Sequence, residues 1–238
     1  LTYPRLAPRP IFAYRADGSR RDLAAPCEEE IDLYEIAAVL SKLPRYNAAL
    51  AGAGFSIAQH SVMGAQALRR ETDEPILAAL FLLHDAHEFL IGDQTSPHQQ
   101  LFEAVNPGFR AARKRIADAW DEAIYAACAL PPPAAWRTSW AKAVKDMDMR
   151  MLSAEVAELS SEQAARHVDP ADPLPRRRPG RPAVIGKIQP WGPVKAELEF
   201  VQLAETLIGR DKVAEMAAIH AAHIETTRAR AASQKGAA

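Results

Sequence analysis

The feature that most constrains this chain is the run Ile76–Leu83, apolar at every position, which passes without a break into His84-Asp85-Ala86-His87-Glu88. A helix apolar on all sides belongs in the middle of a folded body. Pro75 suits its first turn, and Gly92, able to take a left-handed conformation, suits its end. The run therefore predicts a central helix over 75–92 that carries polar side chains into the interior, where each needs a partner. On a continuous helix, positions 84 and 88 share a face at i, i+4 and positions 85 and 88 are neighbours at i, i+3, so His84, Asp85 and Glu88 converge on one patch. A cation would satisfy that patch. So would an arginine against Asp85 and a backbone carbonyl against His84.

The flanking sequence predicts an all-α body. Residues 1–31 mix Pro, Arg and single apolar residues without a sustained period and read as an irregular N-terminal arm, with strands left open. Helical spacing begins at Asp32, where Asp32-x-x-Glu35 forms a candidate capping box and Leu33, Ile36, Ala37 and Leu40 share a face. That helix ends near Pro44, and Arg45 to Gly54 is a loop. Ser56-x-x-Gln59 is a second candidate box, opening a helix that runs to about Arg70 with His60 in its first turn. After a loop with Pro97 and a short turn, helices are expected over Phe109–Cys128 and about Ala134–Glu162. The proline-dense segment 165–193, with Arg176-Arg177-Arg178, reads as an extended, mobile linker or lid, and two helices from about Val194 and Asp211 follow. The expected organisation is an arm over 1–31, a core over 32–164, a Pro/Arg-rich loop over 165–193 and C-terminal helices over 194–238 packed on the core.

Composition narrows the chemistry. The 238 residues are 48% hydrophobic and 25% charged, the range of an ordinary globular chain. No apolar run approaches the roughly 20 residues of a membrane-spanning helix, and the start Leu1-Thr2-Tyr3-Pro4-Arg5 has no signal-like apolar stretch, so a cytoplasmic protein without a membrane partner is expected. Cys27 and Cys128 stand alone, which leaves any metal to His and carboxylate ligands. A net charge of −1 argues against binding duplex nucleic acid and favours small anionic partners. Two residues then join His84 and Asp85 as candidate ligands. His60 opens the preceding helix, and Asp148 interrupts an apolar stripe between Val144 and Met151. Asp146 is the competitor, but Lys142 and Arg150 among its helical neighbours suit a solvated carboxylate. Two imidazoles and two carboxylates offer mixed ligation to one divalent ion, Mn, Co, Fe, Ni or Zn, with Mg also open.

These segments resemble a known family. Gly54-Phe55-Ser56-Ile57-Ala58-Gln59-His60-Ser61-Val62 is similar to the first-histidine segment of the HD-domain phosphohydrolases. His84-Asp85-Ala86-His87-Glu88-Phe89-Leu90-Ile91-Gly92-Asp93 is similar to the His-Asp-x-x-Glu-x-x-x-Gly-Asp run of the bacterial 5′-deoxynucleotidase branch. Val144 to Glu155 resembles the late helix that carries the family's aspartate, which falls on Asp148. The resemblance implies an HD-domain helical bundle and a metal held by His60, His84, Asp85 and Asp148. It further implies that Glu88 and Asp93 act around the attacking water and the leaving oxygen, and that Arg45, Tyr46 and Thr95 lie on the substrate, with Arg45 at the phosphate and Tyr46 near the sugar. The chain departs from that branch after Thr95-Ser96-Pro97, where His98-Gln99-Gln100 has no lysine. The expected activity is hydrolysis of (deoxy)nucleoside 5′-monophosphates, by a chain for which a homodimer is compatible. Alternatives are a triphosphohydrolase or phosphodiesterase on the same scaffold, or a catalytically silent nucleotide sensor. His87 and His98 would support a second ion, or else are polar surface.

Overall fold

A computed structural model describes residues 3–49, 54–160 and 180–236. The fold is all-α apart from a small hairpin. In chain order the helices are α1 (Leu33–Leu40), α2 (Ile57–Thr72), α3 (Pro75–Leu82), α4 (Glu88–Ile91), α5 (Ser96–Val105), α6 (Phe109–Ala127), α7 (Thr138–Leu159), α8 (Pro193–Ala204) and α9 (Arg210–Gly236), with α8 and α9 joined by a π-helical turn over Glu205–Gly209. Asp32 caps α1 through its side chain, which accepts from Tyr34 N–H, and Ser56 caps α2 by accepting from Gln59 N–H. Each cap is worth about 1 kcal/mol. The reciprocal halves of the two expected capping boxes are not made. Glu35 turns to Arg21, and the Gln59 amide turns to the backbone of Gln189 and Trp191.

Helices α2 and α3 form a tight helical hairpin turned at Asp73, whose φ of 55° is left-handed. At Gly64 the Phe81 ring fills the space that a Cβ would occupy. Helix α7 packs against both, and α8 lies across α1 and α2. Leu80, Phe81, Leu82 and Leu83 are all inaccessible to solvent, so the apolar run is indeed the middle of the core.

Three expectations are corrected, and the strands left open for the arm are present. The arm is not wholly irregular: β1 (Phe12–Tyr14) and β2 (Arg20–Asp22) pair antiparallel around Gly18, at φ 79°, and Asp17 Oδ1 accepts from Ser19 N–H in the turn. The stretch after Pro97 is not a short turn but the helix α5, with proline in its first turn, where the missing N–H costs nothing. The central helix does not run unbroken over 75–92. It stops at Leu82, and the next residues fold in tighter i→i−3 turns, His84 N–H to Phe81 O, Ala86 N–H to Leu83 O and Glu88 N–H to Asp85 O. The part of the proline-dense segment that is described, 180–192, is a strap bound to the body. Arg150 donates to Gly180 O and Arg181 O, Ala183 N–H donates to Glu71, and Ile188 N–H donates to Glu158. Arg176–Arg178 and the rest of that segment lie outside the described residues. Among the described residues no helix is long and apolar enough to cross a membrane.

Candidate metal centre

The break after Leu82 is what aims the polar pentad. In the tight turn, His84 Nδ1 lies 2.7 Å from Phe81 O. A carbonyl only accepts, so Nδ1 is the protonated nitrogen and Nε2, the acceptor, faces away from the backbone. His60, wholly buried in the first turn of α2, approaches from the other side, with the two imidazole centroids 5.3 Å apart and Phe81 stacked 4.3 Å beneath His84. Asp85 Oδ2 stands 3.1 Å from His84 Nε2 and 4.0 Å from His60 Nε2. Asp148, from α7, closes the group with Oδ1 3.6 Å from His60 Nε2 and 3.9 Å from His84 Nε2, while its other oxygen accepts from Lys145 Nζ at 2.9 Å.

Ligand atoms of His60, His84 and Asp85 lie within 4.8 Å of one another, which places the three in position to hold one metal ion. The residues fit such an ion. Both Nε2 atoms are buried and have no hydrogen-bond partner, although each faces carboxylate oxygens. Lone pairs directed at carboxylates repel unless a positive charge stands between them. A proton meets the same need: burial opposes a charge on His84, yet Asp85 and Asp148 raise its pKa to about 10. Asp85 and Asp148 themselves, against the opposing effect of burial, are held below the usual carboxylate range by His84 and His60. Asp146 is directed elsewhere, half-exposed and 4.0 Å from Arg150.

Around the ligands lies a ring of charge. Burial, then Asp85 and Asp93, push the Glu88 carboxyl well above its usual pKa; its Oε1 is 3.5 Å from Arg113 Nη2 and its Oε2 has no partner. Burial raises Asp93 as well, with Arg45 pulling down and Asp85 pushing up. Arg45 Nη1 is 3.6 Å from Asp85 Oδ2, so Asp85 does have an arginine neighbour. Arg45 Nε, however, donates to Glu155 at 3.0 Å, and the Tyr46 hydroxyl donates to the same carboxylate at 2.6 Å. Thr95 is engaged with His98 Nδ1, at 2.7 Å, and no contact brings it to the ligands. His87 is buried against Asp121, at 3.1 Å, and is not the polar surface expected of it; neither it nor His98 belongs to the ion-holding group.

Glu155, Arg113 and Asp121 are the neighbours that sequence reasoning missed. Glu155 left a legible signal, since it stands two helical turns after Asp148, as a second carboxylate on the buried stripe of Met147 and Met151. Arg113 and Asp121 lie on α6, whose spacing gave no hint that this face meets the turn after α3.

No family model matches the chain. Over 162 residues it is 28% identical to an uncharacterized protein of Rhodobacter capsulatus, a match that covers 66% of this chain and 79% of that protein.

Proposed function

We propose that this protein is a metal-dependent phosphohydrolase of the HD-domain type that acts on nucleotides, with His60, His84, Asp85 and Asp148 around one divalent ion. The observation that carries the reading is the pair of buried imidazole nitrogens, without hydrogen-bond partners, converging on two carboxylates from three separate elements. A divalent ion held there supplies Lewis acidity toward a phosphoryl oxygen. The remaining groups suit the rest of the reaction. Glu88 is a carboxyl that burial keeps able to carry a proton beside the ligands, and Asp93 is its neighbour. Arg45, 3.6 Å from Asp85, and Arg113, 3.5 Å from Glu88, bring fixed positive charge to the site, as an anionic substrate requires. No nucleophilic Ser or Cys is called for, because phosphoryl transfer depends chiefly on positioning and charge stabilisation.

Two measurements test this. Metal analysis of purified variants is expected to show one ion per chain in the parent, loss in His60→Ala, His84→Ala, Asp85→Ala and Asp148→Ala, and retention in Asp146→Ala. Full metal in Asp148→Ala with loss in Asp146→Ala would overturn the ligand set. A product-resolved screen of nucleotides with Mn, Co and Mg is expected to release phosphate from deoxynucleoside monophosphates first. Turnover of non-nucleotide phosphate esters alone would remove the substrate half of the reading, and metal and nucleotide binding without turnover would make the protein a sensor.

A further inference from the structure

His60 Nδ1 faces Glu155 Oε1 at 2.6 Å, and both side chains are closed to solvent. Glu155 lies among an unusual number of donors. Besides His60 it takes Arg45 Nε at 3.0 Å and the Tyr46 hydroxyl at 2.6 Å on its other oxygen. A guanidinium N–H and a phenol hydroxyl both donate to Oε2, so this buried carboxyl group takes the part of acceptor, and His60 is left to donate to Oε1.

The backbone that presents two of these donors is strained. Tyr46, Asn47 and Ala48 have φ of 59°, 51° and 58°, three consecutive non-glycine residues in the left-handed region, each costing on the order of 1 kcal/mol. The surrounding chain holds the turn in place. Arg45 N–H donates to Phe55 O and Ile57 N–H to Leu43 O, which fixes the base of the loop to the start of the helix that carries His60. Strain of this kind persists where the surroundings over-determine it, and here it directs Arg45 and Tyr46 onto one buried carboxylate.

We infer that Glu155 is the positioning residue of the centre: it takes the Nδ1 proton of His60, fixes the ring and its tautomer, and so leaves Nε2 as the ligand atom, while the Arg45–Ala48 turn exists to hold Glu155 in place. This rests on the metal reading for its purpose, though not for its geometry. Burial excludes water as a substitute acceptor. The role differs from that of His84, whose Nδ1 is satisfied by a backbone carbonyl of its own segment and needs no second side chain. Arg45 and Tyr46 therefore also act through Glu155, Arg45 by its Nε while its Nη1 stays on the side of Asp85.

The test uses the full chain labelled with nitrogen-15 and stripped of metal. Long-range proton–nitrogen correlation is expected to show His60 protonated on Nδ1 in the parent. Glu155→Gln, whose amide is able to donate to the ring, is expected to move that proton to Nε2 and to weaken Co(II) binding about ten- to a hundred-fold, the usual effect of losing a partner behind a metal-bound histidine. Glu155→Asp, which keeps the charge on a shorter arm, is expected to retain the tautomer and recover part of the affinity. It also stands in if the Gln variant does not fold. A parent His60 whose Nδ1 carries no proton would overturn the inference. So would a folded Glu155→Gln with the parent's nitrogen shifts and Co(II) affinity, or, in its place, a Glu155→Asp indistinguishable from the parent in Co(II) affinity. A parent that binds no Co(II) refutes the metal reading, and the tautomer measurement then decides the role of Glu155 by itself.

Discussion

Glu88 and the two thiols show how burial sets chemistry residue by residue. Glu88 stands beside the ligands, with one oxygen near Arg113 and the other without a partner. Because no ligand atom is taken from it, Glu88→Gln is expected to keep the ion and lose most turnover, read as metal per chain against phosphate release. Metal loss as great as in His84→Ala would make Glu88 a ligand. The cysteines are affected in the same direction by the same cause. Burial pushes Cys128 up to about 12, and burial together with Glu29 does the same for Cys27. A thiol with that pKa is thiolate in about one chain in ten thousand at pH 8, so the native protein is expected to resist a thiol reagent that labels both cysteines once denaturant is added. Rapid labelling of one thiol in the native state would contradict that assignment.

At the scale of elements, the spacing of α2 and α3 governs the centre. Gly64 admits the Phe81 ring, and that ring lies against both His84 and His60. Gly64→Ala would gain a little helix propensity, but the methyl must displace an aromatic ring inside a filled core, at a cost of about 1–3 kcal/mol. The variant is expected to lower the midpoint of denaturant unfolding and to weaken metal binding together; a fall in stability with unchanged affinity would show that Phe81 does not transmit the shift. Legibility in the sequence followed the same physics. The starts of α1 and α2 were readable, because Asp32 and Ser56 satisfy backbone donors within their own segments. His60, His84 and Asp85 were readable because polar side chains beside apolar runs must meet something. The break at Leu82 was not readable. Local pattern favours a continuous helix there, whereas the chain turns in i→i−3 steps that face His84 Nε2 away from its own backbone. Nor did the sequence disclose Arg45 and Tyr46 as partners of Glu155, since that contact spans 110 residues.

In the whole molecule, segments far apart in sequence close on the centre. The strap over 180–192 crosses α2 at Gln59, one residue before His60, where the side-chain amide receives Trp191 N–H and donates to Gln189 O in the way a neighbouring strand would. Bound metal is expected to stabilise this assembly by mass action, about 2.7 kcal/mol at a hundred-fold excess over Kd, which for a chain of this size raises the Tm by roughly 5–10 °C. No shift in the parent, or an equal shift in His60→Ala, would count against binding at this centre. His60 meets Glu155 across 95 residues, and Gln59 meets Trp191 across 132. Loops of that length close late, because the entropy of joining their ends must be met before the contact repays it. An unfolded chain therefore presents scattered imidazoles and no chelate. The ion would act as a clasp on a finished knot: metal would leave the rate of refolding unchanged and slow unfolding, so its presence would be recorded in the lifetime of the native protein rather than in the time taken to reach it.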